Sequence, residues 1–276
     1  MPLINYALVG SPIDQSPSPA MHNAAFESLK MNAGYKLRPA DLETAELVLA
    51  EIKHGKWAGI NITTPLKAVL APMVQLQGHA IKANAVNTLW RYGSEIHGAL
   101  TDVDGIITPL REVGFGEKKS ALILGAGGAA RAAAIALDHF GSKIHIAARN
   151  PHKAAEFLEN TEVENAGTSG ALKDTSYLEG LMATVDCIIQ ATPVGSNNDS
   201  HTLPWSAAKS ELIAFDMVYK PVETPFLAEA KKAGCTTIPG WKMLLAQGAA
   251  ALKIWTGREA PLDAMEKALK AELDIK

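Results

Sequence analysis

The chain has few of the features that mark secreted, membrane-bound or nucleic-acid-binding proteins. It contains two cysteines in 276 residues, 6% aromatic residues and a formal net charge of −3. Cys187 and Cys235 have no spacing typical of a metal site or a disulfide framework, so we expect both to be reduced core thiols. No stretch approaches the ~20 apolar residues of a membrane span, and the charges are interspersed rather than in blocks. These absences favour small-molecule chemistry, with no metal, nucleic acid or membrane as a partner.

The composition is that of a globular protein. A hydrophobic content of 47% in 276 residues is enough for two ordinary cores. The first residues lack the basic and apolar regions of a secretory signal, so we expect a cytoplasmic location. Short apolar stretches alternate with helical patterns through most of the chain, which predicts an α/β protein with parallel sheets.

The most informative stretch is an apolar run, 121–124, that leads into a loop rich in glycine. Gly125, Gly127 and Ala130 fill the three positions of G-x-G-x-x-[G/A], a turn in which free N–H groups at a helix start face a pyrophosphate. This pattern alone is weak. A helical pattern over 131–137 and a second strand over 143–147 complete a βαβ unit and strengthen it. The predicted cofactor-binding residues of this loop are Gly125, Ala126, Gly127, Gly128 and Ala129.

The residues that follow the second strand favour NADP over NAD. An NAD site usually places a carboxylate here for the ribose 2′-hydroxyl, whereas a 2′-phosphate requires cations. This chain has Arg149, Asn150 and Lys153, and no acid occurs before Glu156. The alternative is that both cations are solvated residues at the start of the next helix.

Two serines near the amino terminus have two possible roles. Ser16 and Ser18 follow a predicted strand over 4–9 and precede a helical pattern. Ser18 followed by Pro19 resembles an N-cap and the first helical position, which predicts capping by Ser18. The functional alternative is that both hydroxyls hold a substrate carboxylate beside the helix N-terminus.

A cluster of polar residues is predicted at the carboxyl end of the strand over 59–63. This strand follows a predicted strand over 36–39 and a helix over 43–53, and Asn61, Thr63 and Lys67 lie at or after its end, where open α/β sheets bind ligands. Lys67 is the candidate for proton transfer, because a lysine in a cleft can be tuned to that task. Asp102 follows a predicted pair of strands over 85–90 and 95–100. It either caps the next helix or pairs with Lys67.

The second half continues the alternation. Strands are predicted over 185–191 and 212–216, and Thr224 with Pro225 predicts a helix that Gly234 ends. Helices over 243–255 and 262–273 follow. Gln247, on the first of them, is either an exposed residue or a hydrogen-bonding group that faces a cleft.

Seven short motifs occur in the order found in shikimate dehydrogenases, which the chain resembles over almost its whole length. Each motif is modest alone, and their common register carries the resemblance. They are Ser16-Pro17-Ser18, Asn61 through Lys67, Ala85-Val86-Asn87-Thr88, Thr101-Asp102, Gly125 through Ala129, Ala191-Thr192-Pro193-Val194-Gly195, and Gly240 through Gln247.

The resemblance implies two domains with a deep groove between them. A substrate-binding and catalytic domain would comprise 1–103 plus 240–276, and a Rossmann-like NADP-binding domain would comprise 104–239. The implied reaction is the reversible NADP-dependent reduction of 3-dehydroshikimate to shikimate, on the route to chorismate and the aromatic amino acids. A monomer or a homodimer is expected.

The resemblance also implies roles for individual residues. Lys67 and Asp102 would be the catalytic pair. The substrate-binding residues would be Ser16, Ser18, Thr63, Asn87, Tyr219 and Gln247. Besides the glycine loop, the cofactor-binding residues would be Arg149, Asn150, Lys153, Thr192, Met217, Gly240 and Met243.

Two departures from the family pattern leave an alternative open. Leu100 stands where the family usually has an asparagine, before Thr101 and Asp102. The cofactor loop reads Ala148-Arg149-Asn150 where Asn-Arg-Thr is usual, which keeps the cation and loses polar neighbours. A related dehydrogenase for quinate, aminoshikimate or another cyclic hydroxy acid is therefore the nearest alternative. A non-catalytic metabolite sensor is disfavoured because Lys67 and Asp102 are both present.

Overall fold

A computed structural model describes residues 2–275 of the chain. The chain divides into two compact units, one of Met1–Gly105 with Leu245–Lys276 and the other of Ile106–Leu244. We call them the outer-segment unit and the central unit. No helix in the described part of the chain is long and apolar enough to cross a membrane.

Strands and helices alternate along most of the chain. Its first part contains β1 (Ile4–Gly10), α1 (Ser18–Ser28), β2 (Ala33–Pro39), α2 (Ala45–Lys53), β3 (Gly59–Ile62), α3 (Lys67–Leu70), β4 (Gln75–Leu76), α4 (His79–Ala83), β5 (Thr88–Tyr92), β6 (Glu95–Ala99) and α5 (Asp102–Glu112). The remainder contains β7 (Ser120–Leu124), α6 (Gly128–His139), β8 (Lys143–Ala148), α7 (Pro151–Asn160), β9 (Ala166–Ala171), α8 (Thr175–Met182), β10 (Cys187–Gln190), β11 (Ile213–Asp216), α9 (Pro225–Lys232), β12 (Thr236–Ile238), α10 (Gly240–Thr256) and α11 (Leu262–Glu272).

The sheet of the outer-segment unit is mixed. Its strand order is β2-β1-β3-β5-β6-β4. The pairs β1–β2, β1–β3 and β4–β6 are parallel, whereas β5 is antiparallel to both β3 and β6. The parallel sheet predicted from the alternation is thus interrupted by the predicted pair of strands, β5 and β6. The hairpin of β5 and β6, whose turn contains Gly93 at φ 62°, places two antiparallel pairs inside the sheet.

An aromatic cluster anchors α10 to this sheet. The Trp255 indole occupies the space that a side chain on Gly59 would fill, so β3 needs glycine there. Trp255 Nε1 also donates to the Leu89 carbonyl at 3.2 Å. The Tyr6 ring packs between those of Phe26 and Trp255, with centroids 4.9 and 5.0 Å away. These contacts fix α1 and α10 relative to the strand ends that carry the candidate site.

The sheet of the central unit is entirely parallel. Its order is β12-β11-β10-β7-β8-β9, which in sequence terms is the 3-2-1-4-5-6 order of a Rossmann domain. The order reverses between β7 and β10, so the carboxyl ends of these two strands define the switch point where such sheets bind ligands. The four central strands are apolar and buried on both faces, as parallel sheets require.

The sequence located most elements of the central unit and missed three. The predicted strands and helices from β7 to α7 are present, and so are β10, β11 and α9. In contrast, β9, α8 and β12 lie in stretches without a clear pattern. Cys187 and Cys235 are both buried free thiols, as expected.

Candidate active site

The carboxyl end of β3 and the start of α5 bring Lys67 and Asp102 together. Lys67 Nζ lies 2.5 Å from Asp102 Oδ2, although the two residues are 35 positions apart in sequence. The Asp102 side chain is 12% exposed and that of Lys67 is 35% exposed. The pair is therefore shielded at the carboxylate and open to water at the ammonium.

One carboxamide holds this ion pair in place. Asn87 Oδ1 accepts the backbone N–H of Thr101 at 2.7 Å, which fixes the amide with its nitrogen toward the site. Asn87 Nδ2 then donates to Asp102 Oδ1 at 2.9 Å and to Gln247 Oε1 at 3.4 Å. The Thr88 hydroxyl also bonds to Asn87 Oδ1 at 3.1 Å. Four residues predicted for the site, Lys67, Asp102, Asn87 and Gln247, thus form one hydrogen-bonded network.

Two other predicted residues differ in what they can offer a ligand. Asn61 is fully used within the protein, because it accepts from the Tyr35 hydroxyl and donates to Asn87 and Thr88. Thr63 is half-buried just beyond β3, and its hydroxyl has no hydrogen-bond partner among residues 2–275. Thr63 is therefore available to a ligand, whereas Asn61 has a structural role.

Ser16 and Ser18 lie at the start of α1, but the predicted N-cap was wrong. The helix begins at Ser18, Pro17 occupies the N-cap position, and no side chain caps it there. Instead Ser16 Oγ accepts the backbone N–H of Ser18 at 3.3 Å and donates to Ser18 Oγ at 3.1 Å. The reason is that Ser16, two residues upstream, reaches the first helical N–H. The two hydroxyls are adjacent at a helix N-terminus, an arrangement that suits a carboxylate.

The glycine loop of the central unit fits a dinucleotide. Gly125 has φ 116°, and a Cβ there would lie 2.9 Å from Thr192 Cγ2, so this position requires glycine. A Cβ on Gly127 or Gly128 would meet no protein atom within 4 Å. The first N–H groups of α6, from Gly128 to Ala130, have no intrahelical partners, because the first intrahelical bond is donated by Arg131. A bound pyrophosphate requires both unoccupied space beside the loop and free backbone N–H donors.

The stretch after β8 presents two exposed cations. Arg149 and Lys153 are exposed, and the stretch from 149 to 155 contains no carboxylate. Asn150 is the N-cap of α7, and its Oδ1 accepts from the N–H groups of His152 and Lys153. The chemistry of this stretch fits a phosphate, although Asn150 has only its amide N–H groups left for a ligand.

The last predicted group surrounds the carboxyl end of β11. A Cβ on Gly240 would collide with the Val218 carbonyl oxygen, so glycine lets α10 begin against the stretch that carries Met217 and Tyr219. Burial raises the pKa of the Tyr219 hydroxyl. Met243 is half-buried in the first turn of α10.

Sequence reasoning missed Asp216, which organises this stretch. Its side chain is fully buried, and burial raises the pKa of its carboxyl group to about 7. Oδ1 accepts the Val218 N–H at 2.9 Å and Oδ2 accepts the Thr224 hydroxyl at 2.6 Å. The signal was present, since an aspartate that ends an apolar strand is an unusual buried residue. Among the described residues, no group of His, Cys, Asp and Glu side chains is arranged to hold a metal ion.

Comparisons with known proteins agree with this geometry. The family model of the shikimate dehydrogenase substrate binding domain matches residues 8–89, and that of the shikimate 5′-dehydrogenase C-terminal domain matches residues 240–270. A shikimate dehydrogenase (NADP(+)) from Prochlorococcus marinus subsp. pastoris is 38% identical over 97% of each chain. The solved structure of shikimate 5-dehydrogenase from Thermus thermophilus, in complex with NADP(H) and shikimate, is 33% identical with a TM-score of 0.87. The match covers 98% of this chain and 100% of that one.

A solved structure that is named for a different substrate is also similar. Quinate dehydrogenase from Corynebacterium glutamicum, in complex with NAD, is 27% identical with a TM-score of 0.87. The match covers 97% of this chain and 99% of that one. The fold alone therefore does not separate the two substrates or the two cofactors.

Proposed function

The chain belongs to the shikimate dehydrogenase family, and we propose that it catalyses the reversible NADP-dependent reduction of 3-dehydroshikimate to shikimate. This reaction belongs to the biosynthetic route to chorismate and the aromatic amino acids. The single observation that carries the proposal is the Lys67–Asp102 ion pair, held by Asn87 at the carboxyl end of β3.

Each unit has its own task in this proposal. The outer-segment unit binds the substrate, and the central unit binds NADP. Ser16 and Ser18 hold the substrate carboxylate, because their hydroxyls are paired at the α1 N-terminus. Hydroxyl groups of the substrate are bound by polar groups of the same unit, namely Thr63, Asn87 and Gln247.

Lys67 performs the proton transfer. NADPH, when bound, supplies the hydride that reduces the substrate carbonyl. Negative charge develops on the carbonyl oxygen, and Lys67 Nζ stabilises it and donates a proton to it. Asp102 holds Nζ in position through the contact at 2.5 Å. Since 35% of the Lys67 side chain is exposed, water can return the proton after each turnover. Oxidation of shikimate follows the reverse path.

The cofactor is bound by groups spread along the central unit. The α6 N–H groups and the glycine loop hold the pyrophosphate, and Thr192 lies beside them at the switch point. Arg149, Asn150 and Lys153 hold the 2′-phosphate. Met217, Tyr219, Gly240 and Met243 form the surroundings of the nicotinamide and the substrate. Support comes from the open space at Gly127 and Gly128 and from the absence of an acid between 149 and 155.

Replacing Lys67 by methionine tests the catalytic assignment. The Lys67→Met variant keeps the side-chain length and removes the proton donor, so kcat for shikimate oxidation should fall by a factor of ~10²–10⁴. The matched control is Lys267→Met, which removes an exposed lysine on α11. It should keep the wild-type kcat. A Lys67→Met enzyme with wild-type kcat would refute the proposed role of the ion pair.

A related dehydrogenase for quinate is the second candidate. Leu100 is the observation that favours it, because this side chain is 4% exposed and comes two residues before Asp102, where the family usually has a polar amide. An apolar group beside the site changes which ring substituents can be bound. Parallel assays with shikimate and quinate decide between the candidates.

The proposal also includes the cellular location and the oligomeric state. We infer action in the cytoplasm, which the two buried free thiols support because they suit a reducing compartment. A monomer or a homodimer is consistent with an ion-pair network built from one chain. Cell fractionation and light scattering of the purified enzyme test these points.

A further inference from the structure

A hydrogen-bonded chain beyond β10 fixes the tautomer of His201. Gln190 Nε2 donates to the Val194 carbonyl at 2.9 Å, so Gln190 Oε1 is the group that accepts from the Thr192 hydroxyl at 3.0 Å. The only hydroxyl hydrogen of Thr192 is thereby used. Thr192 Oγ1 must therefore accept from Nε2–H of His201, which lies 3.0 Å away. Nδ1 of His201 is then the nitrogen that gains or loses a proton.

The same chain places His201 beside the candidate dinucleotide site. Thr192 is the residue against which Gly125 packs, at the point where the strand order of the sheet reverses. His201 is half-buried, and its Nδ1 has no hydrogen-bond partner within residues 2–275. The ring therefore has one nitrogen fixed by the protein and one nitrogen left for a ligand.

Two charged groups shift the pKa of the ring in opposite directions. Burial lowers the pKa of His201 most, the Asp199 carboxylate on the same loop raises it, and the Arg149 guanidinium after β8 lowers it. Asp199 is itself held by the Gly195 N–H, which donates to Oδ1 at 2.7 Å. β8 and β10 are the two parallel neighbours of β7, so the stretch that carries Arg149 and the loop that carries His201 leave the same edge of the sheet. The effect of Arg149 on the pKa of His201 agrees with this placement.

We propose that His201 is a further cation of the 2′-phosphate site, beside Arg149 and Lys153, and takes up a proton when NADP binds. This inference rests on the proposed function, because it requires Arg149 to hold the 2′-phosphate. In the free protein, burial and Arg149 disfavour a charged ring. A phosphate with two negative charges outweighs one guanidinium, so its arrival favours the protonated ring. The added proton sits on Nδ1, which then donates a charge-assisted hydrogen bond to a phosphate oxygen.

The proposal makes His201 a determinant of cofactor specificity. NAD carries a neutral 2′-hydroxyl in place of the phosphate. Its binding therefore adds no negative charge that would favour the protonated His201 ring. The preference for NADP over NAD should therefore be strongest at low pH, where protonation costs least. Ionisation of the phosphate itself also varies with pH, but it is the same for wild type and variant and cancels in their ratio.

Titration calorimetry on the full-length enzyme tests this inference. His201→Gln keeps an N–H donor for Thr192 and cannot be charged. We compare it with wild type for NADP+ and NAD+ at pH 6.0 and 8.5. The ratio of variant to wild-type Kd for NADP+ should be about tenfold at pH 6.0, equivalent to ~1.4 kcal/mol, and close to one at pH 8.5. For NAD+ the ratio of variant to wild-type Kd should stay close to one at both pH values.

Proton uptake gives a second readout that a structural role would not change. NADP+ binding at pH 7 is measured in two buffers of different ionisation enthalpy. The wild type should take up more protons than His201→Gln, and the exposed His54→Gln variant should match wild type. Equal uptake by wild type and His201→Gln, or equal loss of NADP+ and NAD+ affinity, would overturn the inference.

Arg149→Gln separates this inference from the proposed function. If Arg149→Gln weakens NADP+ binding and leaves NAD+ binding intact while His201→Gln does neither, only the role of His201 is wrong. If Arg149→Gln has no selective effect, the predicted 2′-phosphate site is itself wrong, and the inference about His201 is overturned with it.

Discussion

Asn87 shows how one buried side chain can fix the geometry of an ion pair. Its oxygen is committed to the Thr101 N–H, and its nitrogen is thereby directed at Asp102 and Gln247. Asn87 is 2% exposed, so an unsatisfied partner would stay away from water. The geometry of the Lys67–Asp102 pair therefore depends on a residue that carries no charge.

Truncating this side chain should affect both stability and catalysis. In Asn87→Ala, the buried Thr101 N–H loses its acceptor, which should cost about 1–3 kcal/mol of unfolding free energy. The Asp102 carboxylate also loses a donor, so kcat should fall at least tenfold. Urea unfolding and steady-state kinetics measure the two effects. The control Asn165→Ala removes an exposed asparagine of the central unit and should leave kcat unchanged. An Asn87→Ala enzyme with normal kcat would contradict this role.

At the scale of elements, the loop between β7 and α6 contains one glycine that the fold requires and another that the fold does not require. Gly125 is required by a positive φ and by the closeness of Thr192, which are properties of the folded chain alone. Gly128 faces open space, so its lack of a side chain is unrelated to packing within the protein. Glycine is therefore present at these two positions, three residues apart, for different physical reasons.

Alanine substitutions distinguish these reasons. Gly125→Ala should destabilise the fold, because alanine is strained at φ 116° and its Cβ meets Thr192. Gly128→Ala should leave the melting temperature unchanged or raise it, since alanine favours a helix by about 1 kcal/mol over glycine. The same variant should weaken NADP+ binding at least tenfold by filling the pyrophosphate space. Thermal melts and calorimetry measure both properties. Unchanged cofactor affinity in Gly128→Ala would argue against a pyrophosphate at this loop.

Elements with a strong hydrophobic pattern could be predicted from the sequence. Elements whose residues are determined by packing against neighbouring elements could not. β9 has the sequence Ala-Gly-Thr-Ser-Gly-Ala and shows no apolar alternation. A Cβ on Gly167 would lie 2.7 Å from the His145 ring, and one on Gly170 would lie 2.5 Å from the Tyr177 ring. This edge strand is built of small residues because aromatic rings of neighbouring elements cover it. No rule of strand propensity could reveal that.

The contact between Lys67 and Asp102 could be predicted from the sequence, but the hydrogen bonds around this pair could not. The positions of Lys67 and Asp102 after strand ends indicated a meeting point, because strand ends converge at one edge of a sheet. The amide orientation of Asn87 and the full use of Asn61 follow from contacts between distant segments. A sequence does not encode these contacts locally. For the same reason, Ser16 rather than Ser18 takes the first N–H of α1.

At the scale of the whole molecule, buried ionisable groups set the pH dependence of stability. Asp216 is the main one near neutral pH, because its folded pKa of about 7 lies well above the ~3.9 of an unfolded aspartate. Between about pH 4 and 7 the folded protein keeps a proton that the unfolded chain has lost. The associated stability is therefore full below about pH 4 and is lost as the pH rises through about 7.

Asp216→Asn should remove this dependence. From pH 5 to pH 8, the wild type should lose about 3 kcal/mol of unfolding free energy relative to Asp216→Asn, at ~1.4 kcal/mol per pH unit up to the pKa of about 7. Buried His22, whose pKa is lowered to about 3, has the opposite effect below its ordinary pKa of 6.5 but acts equally in both proteins. Urea unfolding at pH 5, 6, 7 and 8 measures the difference. Parallel profiles for the two proteins would contradict the raised pKa of Asp216.

The most direct test of the account is a comparison of four substrate and cofactor pairs. Initial rates of NADP+ and NAD+ reduction with shikimate and with quinate give kcat/KM for each pair. We predict that shikimate with NADP+ exceeds every other pair by at least tenfold. Quinate turnover above shikimate turnover, or equal use of NAD+ and NADP+, would contradict the proposed reaction or cofactor.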